Sequence, residues 1–470
     1  MTEGNSNNRA IILGAGVTGL SAGIRLLDSG CDVCIIEKDD HPGGLARTLV
    51  RGNYRLDIGP HHLFSQNETI LKEMIDLFEK DELISVSRDV KILFYDRFLN
   101  YPLTAKNVLL HMGLKHAFFG SMSCIWMAFG KLFFRNARKG NFQDWARGNF
   151  GRYLYNIFFK PYTEQFWGIP CKELSADCIP LAAKMSFLKT LKMIFLNHGD
   201  FLHKKFEKKD LSFAERETTL KLFYPIKGIG AIVEKLKESF LTKGGTIKLN
   251  CTVSELIVNG DNTFTLHYQN DAEPTRDKAT HVISSIPISS LARILRPVLP
   301  VSVLQSADSL DYLSTIVLYI VIHDRDVIDC QYLYMMGRPY NRISNTNRFH
   351  HQLSPEGENI LALEITCHFK DSIWESSDDE LFEKCIVHLG SDGIISRDEV
   401  KQFFTVRVKN AYPLYRLGYR ENLTTVFEHI KQVPNLTLAG RTGAFKYMDI
   451  DQCMEDTADL VKRFKTDGTI

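Results

Sequence analysis

At 470 residues the chain exceeds what one hydrophobic core ordinarily serves, and 44% apolar side chains give it the material for two or three globular domains rather than a disordered or fibrous chain. Its 57 Lys and Arg nearly cancel its 56 Asp and Glu, which excludes recruitment of nucleic acid by overall field and leaves any anionic ligand to a local cluster. Ten scattered cysteines, with no second CxxC to pair with Cys31 and Cys34 and no Cys/His spacing, exclude a disulfide scaffold and a metal ribbon, so no metal ligands are assigned.

The opening MTEGNSNNR lacks the charged-then-apolar layout of a signal peptide, so a reducing, cytoplasmic setting is expected. A predicted strand at 10–13 then runs into Gly14, Gly16 and Gly19 in GxGxxG spacing, followed by a helix with Leu20, Ile24 and Leu27 on one face. In that arrangement the first glycine makes the turn, the second admits a pyrophosphate to the backbone, and the third lets helix pack on strand. A second strand, DVCII, ends in Glu37, 23 residues after Gly14, where a carboxylate can take ribose hydroxyls. Cys31 and Cys34 both fall in this strand, and an i, i+3 pair there points to opposite faces, against a disulfide. The next loop holds Gly43, Gly44, Leu45 and Arg47, two glycines for close backbone approach and a guanidinium fork for phosphate.

Further along, Ala117–Phe134 is very apolar but contains Lys131 and falls short of the roughly 20 residues of a membrane span, so a buried helix is expected. Residues 182–209 set Lys184, Lys189, Lys192, Lys204, Lys205, Lys208 and Lys209 among Phe, Leu, Met and Ile, which suits a solvated helix face, a lid or a membrane-surface helix. Residues 246–268 alternate as two strands around Asn259-Gly260-Asp261-Asn262, a hairpin signal, and 281–287 read as another strand. Alternating runs at 314–323 and 359–369 predict a second sheet. A last strand at 436–439 leads into Gly440–Gly443 and a helix. The expected fold is α/β: a Rossmann-like dinucleotide domain from 1–95, 223–300 and 405–470, a helical insert at 105–222, and a mainly antiparallel sheet domain at 301–404.

The glycine pair and arginine after the acidic strand end resemble the flavin amine oxidase and protoporphyrinogen oxidase-like superfamily. The resemblance implies FAD, with Gly43, Gly44, Leu45 and Arg47 along its pyrophosphate and flavin, the Val253 backbone at adenine, and Gly440, Arg441 and Asp451 at the flavin end. Six stretches further resemble eukaryotic-type UDP-galactopyranose mutases: LDIGPHHLFS (56–65), NYPLTAKNV (100–108), FFKPYTEQFWGIP (158–170), PYNRISNTNRFHHQLSPEG (339–357), NAYPLYRLGYREN (410–422) and GRTGAFKY (440–447). Together with the FAD motifs the resemblance covers most of the chain, with gaps in the middle. By that likeness His61 contacts the flavin, Trp167 lines the substrate cleft, and Arg342 with Tyr334, Tyr412 and Tyr447 takes the substrate diphosphate, while Arg441 lies near the flavin.

The implied activity is a pyranose/furanose isomerisation of a nucleotide-diphosphate sugar through a covalent adduct on reduced flavin N5, with NADPH or NADH as candidate reductants. The mutases' uracil-binding YPFQ is here YPLT, with Leu103 and Thr104, so the base stays open. Thr163 and Thr219 stand at asparagine positions, and Lys184 is the nearest counterpart of a second arginine. Two alternatives share the scaffold: an FAD oxidoreductase that takes hydride from an amine, a sugar or a porphyrinogen-like ring, and a flavin-less escort protein.

Overall fold

The computed structural model describes residues 8–94, 97–100, 115–116, 118–120, 122–123, 126, 140–179, 221–270, 273–323 and 325–468. Leu103, Thr104, Lys184, Thr219 and the basic stretch 182–209 lie outside the described residues.

Strands Leu436–Leu438, His281–Ser284, Arg9–Leu13, Asp32–Ile36 and Thr246–Lys248 form, in that spatial order, an all-parallel sheet. A parallel sheet is covered on both faces, which is why Ala10, Ile11, Ile12 and Leu13 are all apolar and all buried. Ala10, Ile12, Val33 and Ile35 point toward helices Val17–Leu27, Ala231–Thr242 and Ile450–Thr466. Ile11, Leu13, Cys34 and Ile36 point to the other side, onto an antiparallel meander of Cys251–Val258, Phe264–Asn270 and Glu273–Ala279. Cys31 precedes its strand rather than lying in it, yet it packs in the first cluster and Cys34 in the second, and both are free thiols.

The stretch 246–268 differs from the expected hairpin. Thr246–Lys248 pairs with Asp32–Ile36, and the hairpin begins at Cys251. Asn250, with φ 54°, turns the chain from one sheet to the other, a conformation Asn tolerates better than most residues.

The larger sheet runs Val400–Pro413, Tyr312–His323, Glu358–His368, Arg342–Asn345, Tyr332–Tyr334, Val90–Phe94, Arg97–Asn100. All neighbours are antiparallel except Tyr332–Tyr334 with Val90–Phe94. It thus draws Val90–Phe94 and part of Val400–Pro413 from segments expected with the dinucleotide domain, because strand pairing rather than chain order decides where they sit.

The helical insert contributes Phe142–Leu154, a π-turn Tyr155–Phe159 and Lys160–Trp167. It breaks at Gly151, φ 79°, where any Cβ would come within 2.4 Å of Ser123 Oγ. Gly168 ends it in the left-handed conformation, leaving Trp167 on the last turn. Of the apolar stretch 117–134, residues 118–120, 122, 123 and 126 are described and helical, and against the burial expected Phe118, Phe119, Met122 and Trp126 are exposed.

Candidate active site

The first half of the site is a cradle at the carboxyl end of the parallel sheet. Strand Arg9–Leu13 turns at Gly14, φ 98°, and the first helix starts at Gly16 with no side-chain cap and no acidic residue in its first turn. Its free N–H groups and positive dipole end are therefore left for an anion. A Cβ on Gly19 would fall 1.9 Å from Gly14 O, whereas one on Gly16 would meet nothing within 4 Å. Gly19 is therefore needed for packing, and Gly16 keeps a space clear. Gly43, φ 120°, donates its N–H to Ala15 O at 2.9 Å and brings the Gly43-Gly44 turn alongside Gly16.

Glu37 ends the second strand buried, its carboxylate accepting from Ala15 N at 2.7 Å and Asp39 N at 3.0 Å. Each oxygen retains a lone pair for a hydroxyl donor. The C-terminal turn closes the cradle: a Cβ on Gly440, φ 73°, would fall 2.3 Å from Thr18 Oγ1 of the first helix. Arg47 Nε and Arg441 Nε are buried without a hydrogen-bond partner among the described residues, a costly state that a polar ligand would relieve. An open glycine cradle, a ribose carboxylate and two unsatisfied guanidinium nitrogens fit FAD.

Three other residues expected at the cofactor have the following surroundings. Leu45 is partly buried against the apolar cluster that includes Leu56. Val253 sits half-buried over the second core cluster, beside a register shift between Val253 and Glu255. Asp451 is buried in the first turn of the last helix, where burial pushes its carboxyl up to about 6 while a Ser65 hydrogen bond opposes the shift. It therefore ties that helix to the loop that carries His61.

The second half is an aromatic cluster with two guanidiniums. Arg342 and Glu364 face each other across neighbouring strands, and their register makes the pair: Nε to Oε1 and Nη2 to Oε2, both 2.6 Å. The Arg342 guanidinium carbon lies 5.2 Å and 5.8 Å from the Tyr332 and Tyr334 ring centres. Tyr334 meets Tyr162 edge-on at 5.7 Å, and Tyr412 meets Phe166 at 5.2 Å and Trp167 at 6.5 Å. Tyr412 and Tyr447 lie 4° from parallel with centroids 6.1 Å apart, and the Arg441 guanidinium carbon is 4.6 Å and 4.4 Å from them. Trp167, Tyr334, Arg342, Tyr412, Arg441 and Tyr447 are thus brought together from separate segments. Burial pushes the Tyr162 and Tyr412 phenols above their usual range, so both are protonated donors at neutral pH.

His61 Nδ1 lies 3.0 Å from Gly59 O. Burial holds the ring below its usual range, with the Arg342 charge acting in the same direction and Asp57 against it, so the ring is neutral at neutral pH. A carbonyl only accepts, so Nδ1 carries the proton and Nε2 keeps its lone pair. Asp57 accepts from Thr48 Oγ1 at 2.5 Å, Tyr224 OH at 2.6 Å and Ile229 N at 3.1 Å, which fixes the loop ahead of His61. Among the described residues no group of three or more His, Cys, Asp or Glu could hold a metal.

The family model for flavin containing amine oxidoreductases matches residues 17–455, nearly the whole chain. The chain belongs to that family. A phytoene desaturase (neurosporene-forming) of Rhodobacter capsulatus is 24% identical over 280 residues, 56% of this chain and 49% of its own length. A 1-hydroxycarotenoid 3,4-desaturase of Flavobacterium sp. is 38% identical over 86 residues, 18% of this chain and 15% of its own. The chain therefore spans about half or less of the length of these curated relatives. Among solved structures, reduced UDP-galactopyranose mutase superposes with a TM-score of 0.80 at 19% identity, covering 98% of this chain and 96% of that one. That likeness is one of fold. The chain is accordingly a flavoprotein of the amine oxidoreductase family, with a cradle that fits FAD.

Sequence reasoning missed several residues of this family member's cleft. Tyr162 and Phe166 stand inside the stretch that yielded Trp167, four residues apart on one helix face, and both meet the same cluster. Glu364 had a signal of its own, a lone acid within the apolar run 359–367 of a strand whose neighbours are buried on both sides. Asp57 had none, because two of its partners, Tyr224 and Ile229, are 167 and 172 residues away in sequence.

Proposed function

We propose that this flavoenzyme binds a nucleotide-diphosphate sugar and isomerises its sugar between pyranose and furanose forms on reduced FAD. The observation that carries this reading is the way Arg342 is held. Glu364 takes its Nε/Nη2 edge, and Nη1 has no partner among the described residues. A guanidinium has five N–H donors, so an end-on edge remains for phosphate oxygen, already oriented by the carboxylate. The Tyr162 and Tyr412 hydroxyls hold no hydrogen bond to another described residue, and Arg441 brings a second guanidinium. Arg342 and Arg441 stand against Glu364 and against Asp449, which accepts from Tyr447 OH at 3.2 Å, so formal charge is balanced and it is the directed guanidinium and phenolic donors that suit a leaving diphosphate.

Reduced FAD would supply the nucleophile toward the anomeric carbon, whereas oxidised FAD would supply a hydride acceptor. The chain's own residues orient the substrate: Trp167 and Tyr334 offer faces to the sugar, and the cluster excludes water from the reacting centre. Neutral His61 carries no proton to or from substrate and instead lends Nε2 to the cofactor side.

A second reading, hydride removal from an apolar substrate, is favoured by the same Glu364, which matches the Arg342 charge, and by desaturase relatives. One experiment separates the two. The holoenzyme, reduced anaerobically with dithionite or with NADPH or NADH, is given a panel of UDP-, GDP- and dTDP-sugars, and the ring forms are resolved by chromatography and NMR. Ring isomerisation seen only with reduced flavin is expected. No isomerisation of any donor, with bleaching of oxidised flavin by a hydrocarbon or amine substrate, would replace the first reading with the second.

A further inference from the structure

The helical positions between 115 and 126 have two faces. His116, Gly120 and Ser123 share one: His116 Nδ1 lies 2.8 Å from Tyr153 OH, Ser123 Oγ accepts from Tyr153 N at 3.0 Å, and a Cβ on Gly120 would sit 3.2 Å from Leu154. That face binds the segment to helix Phe142–Leu154. Phe118, Phe119, Met122 and Trp126 fall on an arc roughly 100° wide away from it. Phe118 is 62% and Trp126 75% exposed, in a protein whose other described tryptophans are at least half-buried. Two exposed phenylalanines, a methionine and a tryptophan on one convex helix face are not the usual surface of a monomer.

The surrounding sequence indicates what covers them. From 97 to 143 the chain has seven Lys or Arg (Arg97, Lys106, Lys115, Lys131, Arg135, Arg138 and Lys139) and no Asp or Glu, although the whole chain is balanced at 57 to 56. Lys115 falls within the same arc as the aromatics. A second copy docking on this face would bring the same cationic stretch against itself, which like-charge repulsion opposes. An anionic lipid surface satisfies both features: aromatic rings enter the headgroup boundary, and the cations meet lipid phosphates. An amphipathic face with cations around it suits a helix lying on the surface, and among the described residues no helix is long and apolar enough to cross a membrane.

We infer that the face Phe118, Phe119, Met122 and Trp126 seats this enzyme on an anionic bilayer surface. The helix it rests on continues through the π-turn into Lys160–Trp167, so the docked face is one packed helix away from the cleft aromatics Tyr162, Phe166 and Trp167.

The test is flotation of the full-length holoprotein with phosphatidylcholine vesicles, with and without phosphatidylglycerol. Binding that requires phosphatidylglycerol and is reversed by high salt is expected, and Phe118→Ser and Trp126→Ser should each weaken partitioning roughly tenfold while flavin absorbance is retained. Should either variant fail to fold, brominated lipids supply a second readout: they should quench wild-type tryptophan fluorescence, and Trp126→Phe should remove most of that quenching. Absence of flotation at any lipid composition would overturn the inference. So would flotation indifferent to both serine variants, or a dimer in solution that Trp126→Ser breaks.

Discussion

At the scale of single residues, the decisive pair is Arg342 and Glu364. Their side chains are 18% and 7% exposed, so neither charge is well solvated. A buried pair contributes little over an apolar substitute, but removing one partner strands the other. Glu364→Ala should therefore lower unfolding free energy by about 3 kcal/mol, measured by urea titration, and Arg342→Leu combined with Glu364→Leu should recover much of that loss. A Glu364→Ala protein as stable as the wild type would mean that cleft water already solvates Arg342, and the positioning role of Glu364 would fall. The same pair marks a limit of sequence reading. Arg342 was singled out through the resemblance of its stretch, residues 339–357, to the mutases. Its partner was not, since which residue faces it depends on the register of two strands.

At the scale of elements, the dinucleotide cradle was the most legible part, because strand, glycine turn and helix are contiguous and each glycine has a separate steric reason. Those reasons predict different outcomes. Gly16 has φ −74°, which any L-residue adopts, and open space at its Cβ position, so Gly16→Val should fold with a near wild-type apoprotein melting temperature yet lose affinity for FAD by two orders of magnitude or more. Gly19→Val should instead damage the fold, since its Cβ would overlap Gly14 O. Isothermal titration with FAD and calorimetry of both apoproteins separate the cases; unchanged FAD affinity in Gly16→Val would remove the pyrophosphate from that position. Elements that depend on distant partners were less legible. Thr246–Lys248 alternates like its neighbours, and nothing local shows that it joins the parallel sheet while Cys251 starts another. Exposure of the 118–126 face was hidden for a related reason: an apolar run reads alike whether a core or a lipid surface covers it.

At the scale of the whole molecule, the fold class followed from the order of strand, helix and sheet patterns, whereas the boundaries did not, because the seven-stranded sheet borrows strands from both ends of the dinucleotide segments. The cradle shows the consequence. It takes Gly14–Gly19, Glu37 and Gly43–Arg47 from one end of the chain and Gly440–Gly443 from the other, and Gly440 can approach Thr18 closely only because it lacks a side chain. A cofactor held there joins segments some 400 residues apart. A ligand that binds only the folded chain adds RT ln(1 + [L]/Kd), about 2.7 kcal/mol at a hundredfold excess over Kd. Stripping FAD should therefore lower the melting temperature by several degrees, with recovery that rises with the logarithm of added FAD. Hydrogen exchange should slow at 14–19 and at 440–447 together on rebinding, because one ligand closes both walls. Protection confined to 14–19 would show that the C-terminal turn is not part of the cradle, and the unsatisfied Nε of Arg441 would then need another partner.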